Sequence, residues 1–343
     1  MTWVDRIIAF NIIPIWIYRV VIRLLVAKKI SSETKLFNLR GKNNHLMIKF
    51  LSQGPLATHT DEANEQHYMV PPNFFKSVLG SNLKYSCCYW DKTCSSLSEA
   101  EEAMLELTVE RAKIKDGQTI LELGCGWGSL TLYMAKKFPN STIIAMSNST
   151  DQRKYIIDQL AIHKLTNVTI ITENIINFST DQTFDRIVSI EMFEHLSNYK
   201  LLFEKLDSWL KKDGYIFVHI FGHKHISYPF VNKSSTDWIT RNFFTGGIMP
   251  SESLLTYFEK ELLIANKWRI NGQHYQKTAN AWLKNLIQKQ EDLFELFKDR
   301  YGSQELNKKW AGWKVFFIAC AELFGFNKGN DYMVFHYLIR KKI

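Results

Sequence analysis

No Cys-x-x-Cys pair occurs in this chain, and its five cysteines (Cys87, Cys88, Cys94, Cys125 and Cys320) are an odd number in 343 residues. Neither a disulfide framework nor a zinc module is suggested, and reduced thiols in a cytoplasmic setting are the expectation. Low-complexity tracts and internal repeats are missing too. With 46% apolar and 22% charged residues the composition is that of an ordinary globular protein, able to bury one large core or two modest ones. A membrane-spanning run is also lacking. The most hydrophobic stretch, Ile7 to Ala27, contains only 12 consecutive uncharged residues, Ile7 to Tyr18, and Pro14 falls among them. About 20 apolar residues are needed to cross a bilayer. No small-residue cleavage site follows, as a secretory signal would require.

Negative charge is scarce at the start of the chain. Residues 1–60 hold nine Lys and Arg against Asp5 and Glu33, which is +7 of the total +9 and leaves +2 for the rest. A basic stripe of this kind can meet phosphates of nucleic acid or of a membrane surface. Arg19 and Arg23 fall one helical turn apart on a single face. Two readings stand: a helix docked on its own domain, or one lying in a membrane interface. Docking is preferred, with any membrane contact weak and peripheral and no nucleic-acid partner.

Ten Trp and 23 Phe are generous, and favour a large aromatic interior or pocket. Residues 1–60 read as helices broken near Pro14 and near Arg40 to Asn44. From Ser95 to Lys113 the pattern is helical, with Ser98 before an acidic first turn. Short apolar runs then appear at Thr119–Leu123, Thr142–Met146, Val168–Thr172, Phe184–Ile190 and Tyr215–Phe221. Helical stretches follow Gly128, Thr150 and Asn198, and Lys115-Asp116-Gly117 and Lys212-Asp213-Gly214 are turn signals. Strands separated by helices imply an α/β fold with a parallel, doubly wound sheet that binds ligands at the carboxyl ends of its strands. After Phe221 the alternation stops; an apolar run at Leu262–Ile270, mostly helical sequence to Phe324 and a last strand at Tyr332–Ile339 remain. Trp238, Phe243, Phe244, Tyr257, Trp282, Trp310 and Trp313 are expected in the core of a helical roof.

The strongest local signal is Glu122-Leu123-Gly124-Cys125-Gly126-Trp127-Gly128, at the end of the first strand and before a helix. Its three glycines allow tight turning and close ligand approach. A GxGxxG loop would read as a dinucleotide site, but the spacing here is GxGxG after an acidic residue. That is the arrangement of S-adenosylmethionine methyltransferases. After the second strand, Asn148 and Gln152 stand where many methyltransferases place a carboxylate for the ribose hydroxyls. An ordinary helix cap by Ser149 or Thr150 explains the same residues without a ligand. After the third strand, Glu173-Asn174-Ile175 takes the usual adenine-contact position, with a plain exposed loop as the alternative.

Further motifs make the resemblance specific. They are His67-Tyr68, Tyr85-Ser86-Cys87-Cys88-Tyr89-Trp90, Glu191-Met192-Phe193-Glu194-His195 and Val218-His219-Ile220-Phe221. Together with the glycine loop they resemble the cyclopropane fatty acid synthase superfamily from about Gln66 to the C-terminus. Pro14-Ile15-Trp16, Asp237-Trp238-Ile239-Thr240, Phe244-Thr245-Gly246-Gly247 and Ala321-Glu322-Leu323-Phe324-Gly325 are closer to its coclaurine N-methyltransferase-like branch.

The resemblance implies a Rossmann-like methyltransferase domain at 76–343, with cap inserts at about 222–258 and 271–328, after a helical basic segment at 1–75. It implies S-adenosylmethionine held by Tyr85, Ser86, Glu122, Gly124, Cys125, Gly126, Gly128, Asn148, Gln152, Asn174 and Glu191. In the N-methyltransferases, residues matching Glu191, Glu194 and His195 orient an amine and accept its proton. In the lipid cyclopropanases, bicarbonate is bound by residues matching Cys87, Glu194, His219 and Tyr275. A fifth position, usually small and aliphatic, is Phe221 here. Amine methylation leads and lipid one-carbon transfer is the alternative. His219, His223 and His225 have a metal-like spacing, but nothing completes the set and methyl transfer needs no metal.

Overall fold

The computed structural model of the protein describes residues 2–40, 44–58, 70–232, 234 and 237–342. Gln66, His67 and Tyr68 lie outside the described residues.

Seven strands make one sheet: β1 (Thr119–Leu123), β2 (Thr142–Ser147), β3 (Val168–Thr172), β4 (Phe184–Ile190), β5 (Leu210–His223), β8 (Leu262–Ile270) and β9 (Tyr332–Lys341). Their order is β3-β2-β1-β4-β5-β9-β8. The first five run parallel, while β9 is antiparallel to both of its neighbours. Two short strands, β6 (Tyr228–Pro229) and β7 (Ile248–Met249), pair outside it. Chain order departs leftward from β1 and rightward from β4, so these two strands flank the switch point. Helices on the two faces diverge there and leave a crevice at the strand ends.

Alternation along each strand sends side chains to two separate cores. Ile120, Val188 and Phe217 face one side with Leu105, Val109 and Met134. Leu121, Ile187 and Val218 face the other with Tyr199, Leu206 and Phe258. Both faces are covered, so burial runs along β1 and β4 without alternating.

Helices α1 (Trp3–Phe10), α2 (Ile15–Leu39), α3 (His45–Phe50) and α4 (Pro72–Val78) precede the sheet. Thr2 and Asp5 form a capping box on α1, Asn11 in the left-handed region ends it, and Pro14 stands at the N-cap of α2. Helix α5 (Leu97–Arg111) is capped by Ser96, because Glu99 reaches back to form the second half of a capping box. Ser98, expected to mark that start, instead lies inside the helix. Helices α6 (Ser129–Lys137), α7 (Thr150–Ile162) and α8 (Tyr199–Trp209) link the parallel strands. Lys212-Asp213-Gly214 is no separate turn before a strand. It is absorbed as a bulge within β5, where the partner of β4 jumps from Leu210 to Tyr215.

A small helix α9 (Trp238–Phe243) and the long helices α10 (Gly272–Gln288), α11 (Gln290–Tyr301) and α12 (Ser303–Gly325) build a third, aromatic core. Phe243 stacks on Phe316 with centroids 4.1 Å apart, and Trp313 packs on Phe74 at 4.6 Å. Trp238, Trp282, Trp310 and Trp313 are buried there, but Tyr257 is 48% exposed. Tyr257 belongs to a short 3₁₀ turn that buries Leu254, Leu255 and Phe258 and so turns the tyrosine outward.

Helix α2 lies on α12. Arg19 and Arg23 both bind Glu322, a carboxylate only 1% exposed, and Arg19 also donates to Asn280 at 2.7 Å. Breaking such a clamp would leave a buried charge unpaired, which typically costs about 3–5 kcal/mol. The outer side of the same segment exposes Trp3, Phe10, Ile12, Trp16 and Leu24. Among the described residues no helix is long and apolar enough to cross a membrane.

Candidate active site

A cleft opens at the switch point. The glycine loop forms one wall: Gly124, Gly126 and Gly128 have φ of +78°, +54° and +78°. Amides of Gly124 and Cys125 both donate to Met146 O, which pins the loop over the end of β2. A Cβ on Gly128 would come within 2.7 Å of Ile156, whereas one on Gly126 meets no protein atom within 4 Å. Gly128 is therefore a packing requirement, and Gly126 leaves room on the cleft side. Asn148, Gln152, Glu173, Asn174, Ile175, Tyr85 and Ser86 complete this end of the cleft. Asn174 Oδ1 accepts from Ile176 N, so part of its side chain serves its own turn.

This end carries buried polar atoms with nothing to bind. Trp127 Nε1, Ser129 Oγ and Gln152 Nε2 line the cleft without a hydrogen-bond partner, although Gln152 Oε1 accepts from Ser147 at 2.6 Å. Such orphans are costly unless a ligand satisfies them. Glu122 also lines the cleft, accepts from Thr131 at 2.6 Å, and is pushed up to about 8 by burial. A polar ligand carrying hydrogen-bond acceptors and hydroxyls fits this set.

The other end is built on Glu191, the first residue after β4. Its backbone sits at φ +48°, in the left-handed region, where a non-glycine residue costs about 1 kcal/mol or more. Its amide donates to His219 O at 2.8 Å. That turn swings the side chain toward β5 and α10, where its carboxylate gathers three donors. Oε1 accepts from Cys87 N at 3.0 Å and from His219 Nε2 at 3.1 Å, and Oε2 accepts from the Tyr275 hydroxyl at 2.7 Å. Burial raises the pKa of Glu191, while Lys84, the Cys87 amide, Tyr275 and His195 pull it down. Burial, with the charge of Glu191 adding to it, raises the Cys87 thiol. Its Sγ donates to Cys88 O, so it is the amide of Cys87, not its sulfur, that faces Glu191.

His195, in the 3₁₀ turn Phe193–His195, lines the cleft beside Glu191 and stacks on Phe244 at 6.1 Å. Burial pushes it down to about 4, against the pull of Glu191, so its ring is neutral at physiological pH. Glu194 does not line the cleft. It is fully buried, accepts from Phe221 N at 2.8 Å through Oε1, and has no partner at Oε2. Burial, and then the charge of Glu191, hold its pKa well above the carboxylate range, which favours its neutral form.

Cys87, Glu191, His219 and Tyr275 are thus brought together, with His195 beside them, while Glu194 stands behind. Among the described residues no three His, Cys, Asp or Glu converge as metal ligands. His223 Nδ1 instead accepts from the amides of His225 and Ile226. Sequence reading missed Lys84, Arg111 and His336, and gave no role to Trp127 and Ser129, which belong to the glycine loop itself. Lys84 is 3% exposed and donates to Ser86 Oγ and Cys87 O, placing a buried cation beside Glu191. Its loop is held by Glu101, which accepts from the amides of Gly80, Asn82 and Lys84. The one available signal was His336, a lone polar residue in the apolar strand Tyr332–Ile339.

The glycine loop at a switch point, the buried polar atoms it presents to the cleft and the titratable cluster across it are the features of an S-adenosylmethionine-dependent methyltransferase. The profile of the mycolic acid cyclopropane synthetase family matches residues 57–333, and the chain belongs to that family. It is 40% identical to (S)-coclaurine N-methyltransferase of Thalictrum flavum subsp. glaucum, over 85% of this chain and 82% of that one. A crystal structure of coclaurine N-methyltransferase bound to N-methylheliamine and SAH superposes with a TM-score of 0.95 at 34% identity, covering 98% of this chain and 99% of that chain. Similarity to cyclopropane-fatty-acyl-phospholipid synthase of Escherichia coli (strain K12) is 28%, over 78% of this chain and 63% of that protein.

Proposed function

We propose that the protein methylates the nitrogen of a small-molecule amine, with Glu191 and His195 facing the acceptor. One observation carries the choice over lipid one-carbon transfer. Three donors of the set that would hold bicarbonate, at Cys87, His219 and Tyr275, already surround the carboxylate of Glu191. A carboxylate and bicarbonate have the same charge and the same acceptor oxygens, so the chain's own side chain takes the anion's place. Likeness to amine methyltransferases along most of the chain supports the same reading.

S-adenosylmethionine, when bound, supplies an electrophilic methyl group on a sulfonium. Gly124, Cys125, Gly126 and Gly128 would leave room for it, and Glu122, Asn148, Gln152, Asn174, Tyr85 and Ser86 would hold its polar groups. Glu191 is fixed by three neutral donors; burial raises its pKa, and Lys84, the Cys87 amide, Tyr275 and His195 oppose that and support the carboxylate form facing the amine. The amine reacts in its neutral form, with a lone pair on nitrogen; His195, neutral at physiological pH, is placed to take up the proton that nitrogen releases as the methyl group arrives, with Glu191 opposing the burial that disfavours its imidazolium. Glu194 supports the turn that carries His195 by its bond to Phe221.

The test is incubation with methyl-labelled cofactor, a panel of secondary amines and vesicles of unsaturated phospholipid, followed by mass spectrometry. Label on amine nitrogen is expected, unchanged when dissolved carbonate is removed. Label confined to acyl chains, lost with carbonate, would establish the lipid chemistry instead.

For the basic N-terminal segment, the exposed Trp3, Phe10, Ile12, Trp16 and Leu24 support weak contact with an anionic membrane surface. Sedimentation with phosphatidylserine vesicles should be measurable at low salt and largely lost at physiological salt. Five free cysteines among the described residues fit a cytoplasmic setting.

A further inference from the structure

We infer that Arg111 and His336 are positioning residues for Glu191, acting through a hydrogen-bond wire that makes His219 a one-way donor. The wire has three links. Arg111 Nη1 lies 2.9 Å from His336 Nδ1, His336 Nε2 lies 3.0 Å from His219 Nδ1, and His219 Nε2 lies 3.1 Å from Glu191 Oε1.

Its direction is settled at the ends. A guanidinium has donors and no acceptor, so His336 Nδ1 must accept from Arg111. Both histidines are sealed from solvent, His336 at 0% and His219 at 1% exposure. Burial, together with Arg111 and Lys84, holds both well below the usual imidazole range, so each ring is neutral and carries one proton. With Nδ1 of His336 accepting, its proton is on Nε2 and is donated to His219 Nδ1. The proton of His219 is then on Nε2, aimed at Glu191. A carboxylate can only accept, so the far end agrees with the near one.

The wire follows a single transverse row of the sheet. Ile190 of β4, His219 of β5, His336 of β9 and Trp268 of β8 are successive partners in register. Arg111, the last residue of α5, stacks over Trp268 at 5.0 Å, which holds its guanidinium against the outer end of the row. The antiparallel strands therefore carry a polar row from a half-buried cation to the carboxylate at the switch point.

Loss of His336 would free His219 to place its proton on Nδ1. The lone pair on Nε2 would then face the Glu191 oxygen, and the carboxylate would lose one of its three anchors. Partners that orient a metal-bound histidine typically carry about 10–100-fold, and a loss at the low end of that range is expected for a histidine oriented toward a carboxylate. The effect on turnover rests on the reading that Glu191 meets the acceptor; the tautomer does not.

The experiment uses the full chain, selectively ¹⁵N-labelled at histidine, with the His219 signals assigned through His219→Gln. Long-range ¹H–¹⁵N spectra report the tautomer, and kcat and KM are measured on the best amine from the panel. His336→Phe keeps the ring packing on Phe217 but breaks the wire. His219 should then leave the Nε2–H form and kcat should fall about tenfold, with cofactor affinity kept within about twofold. His336→Gln, whose amide accepts from Arg111 and donates to His219, should restore both the tautomer and most of kcat. Arg111→Met breaks the same wire from its outer end and serves if His336→Phe does not fold; kcat should fall about threefold. The wire is refuted if His219 keeps its tautomer in His336→Phe or in Arg111→Met. It is equally refuted if His336→Gln loses as much kcat as His336→Phe, since packing alone would then explain the loss. An altered tautomer with unchanged kcat would keep the wire and remove Glu191 from the reaction, overturning the amine reading rather than the geometry.

Discussion

The two ends of the cleft are finished to different degrees. Around the glycine loop, the polar atoms of Trp127, Ser129 and Gln152 are buried and unmatched, and Glu122 has only Thr131 for company. Around Glu191, the donors of Cys87, His219 and Tyr275 are already matched to an acceptor from the same chain. The first end is incomplete without a ligand, whereas at the second the carboxylate of Glu191 already has its donors, and only Glu194 Oε2 behind it lacks a partner. A cofactor that must enter and leave can be held by groups that gain their partners on binding. A charge that faces the acceptor, the part we propose for Glu191, must instead be preorganised, because it acts only when its orientation is fixed before the reaction.

Four variants put that contrast to the test. The largest effect is expected at the unfinished end. Gly126→Val places a branched side chain in the room beside the loop, at a φ of +54° that β-branched residues rarely adopt. Calorimetry on the folded variant should detect no S-adenosylmethionine binding. Normal binding would remove the loop from the cofactor site.

Glu191→Ala comes next. Turnover should fall by about 10²–10³-fold while cofactor affinity, read by the same calorimetry, changes at most about threefold. An equal loss in both would show that the two ends act as one unit and that Glu191 holds cofactor as well as acceptor.

The third measurement concerns stability of the unliganded protein. The folded pKa of Glu122 is about 8, raised by burial from an ordinary 4.5. A raised acid holds its proton in the folded state, so its contribution is complete below pH 4.5 and is lost as pH rises toward 8. That loss amounts to about 3 kcal/mol between pH 5 and pH 8. Urea unfolding of Glu122→Gln should be flatter over this range than that of the native chain. Parallel pH profiles would place the carboxyl in a more polar environment than the fold gives it.

The smallest effect belongs to Cys87→Ala. Its amide, which survives the substitution, is the group that binds Glu191, so kcat should stay within about threefold. A collapse of activity would assign the sulfur a part in the chemistry and weaken the case that the anion site is filled by Glu191 alone.

What the sequence determined by itself was local. The three glycines, the five apolar runs that became β1 to β5 and the helices between them were all legible. Each depends on backbone conformation or on a periodicity of two or 3.6 residues within one segment. The Glu191–His195 motif was legible too, as titratable groups at a strand's carboxyl end. Its division of labour was not. Only the tertiary structure put Glu191 in the cleft and Glu194 behind it, and gave Glu191 its partners at Cys87, His219 and Tyr275, which lie 104, 28 and 84 residues away. It also decided that Arg19 and Arg23 clamp Glu322, about 300 residues on, and that His336 stands opposite His219 in the sheet. The capping and bulge differences, Ser96 for Ser98 and the absorbed Lys212-Asp213-Gly214, were smaller losses of the same kind. Strand register and helix docking set which distant groups meet, and a hydrogen bond between distant residues leaves no period in the chain. The pKa of a buried carboxyl follows from those meetings, because burial and neighbouring charge exist only once the fold has closed.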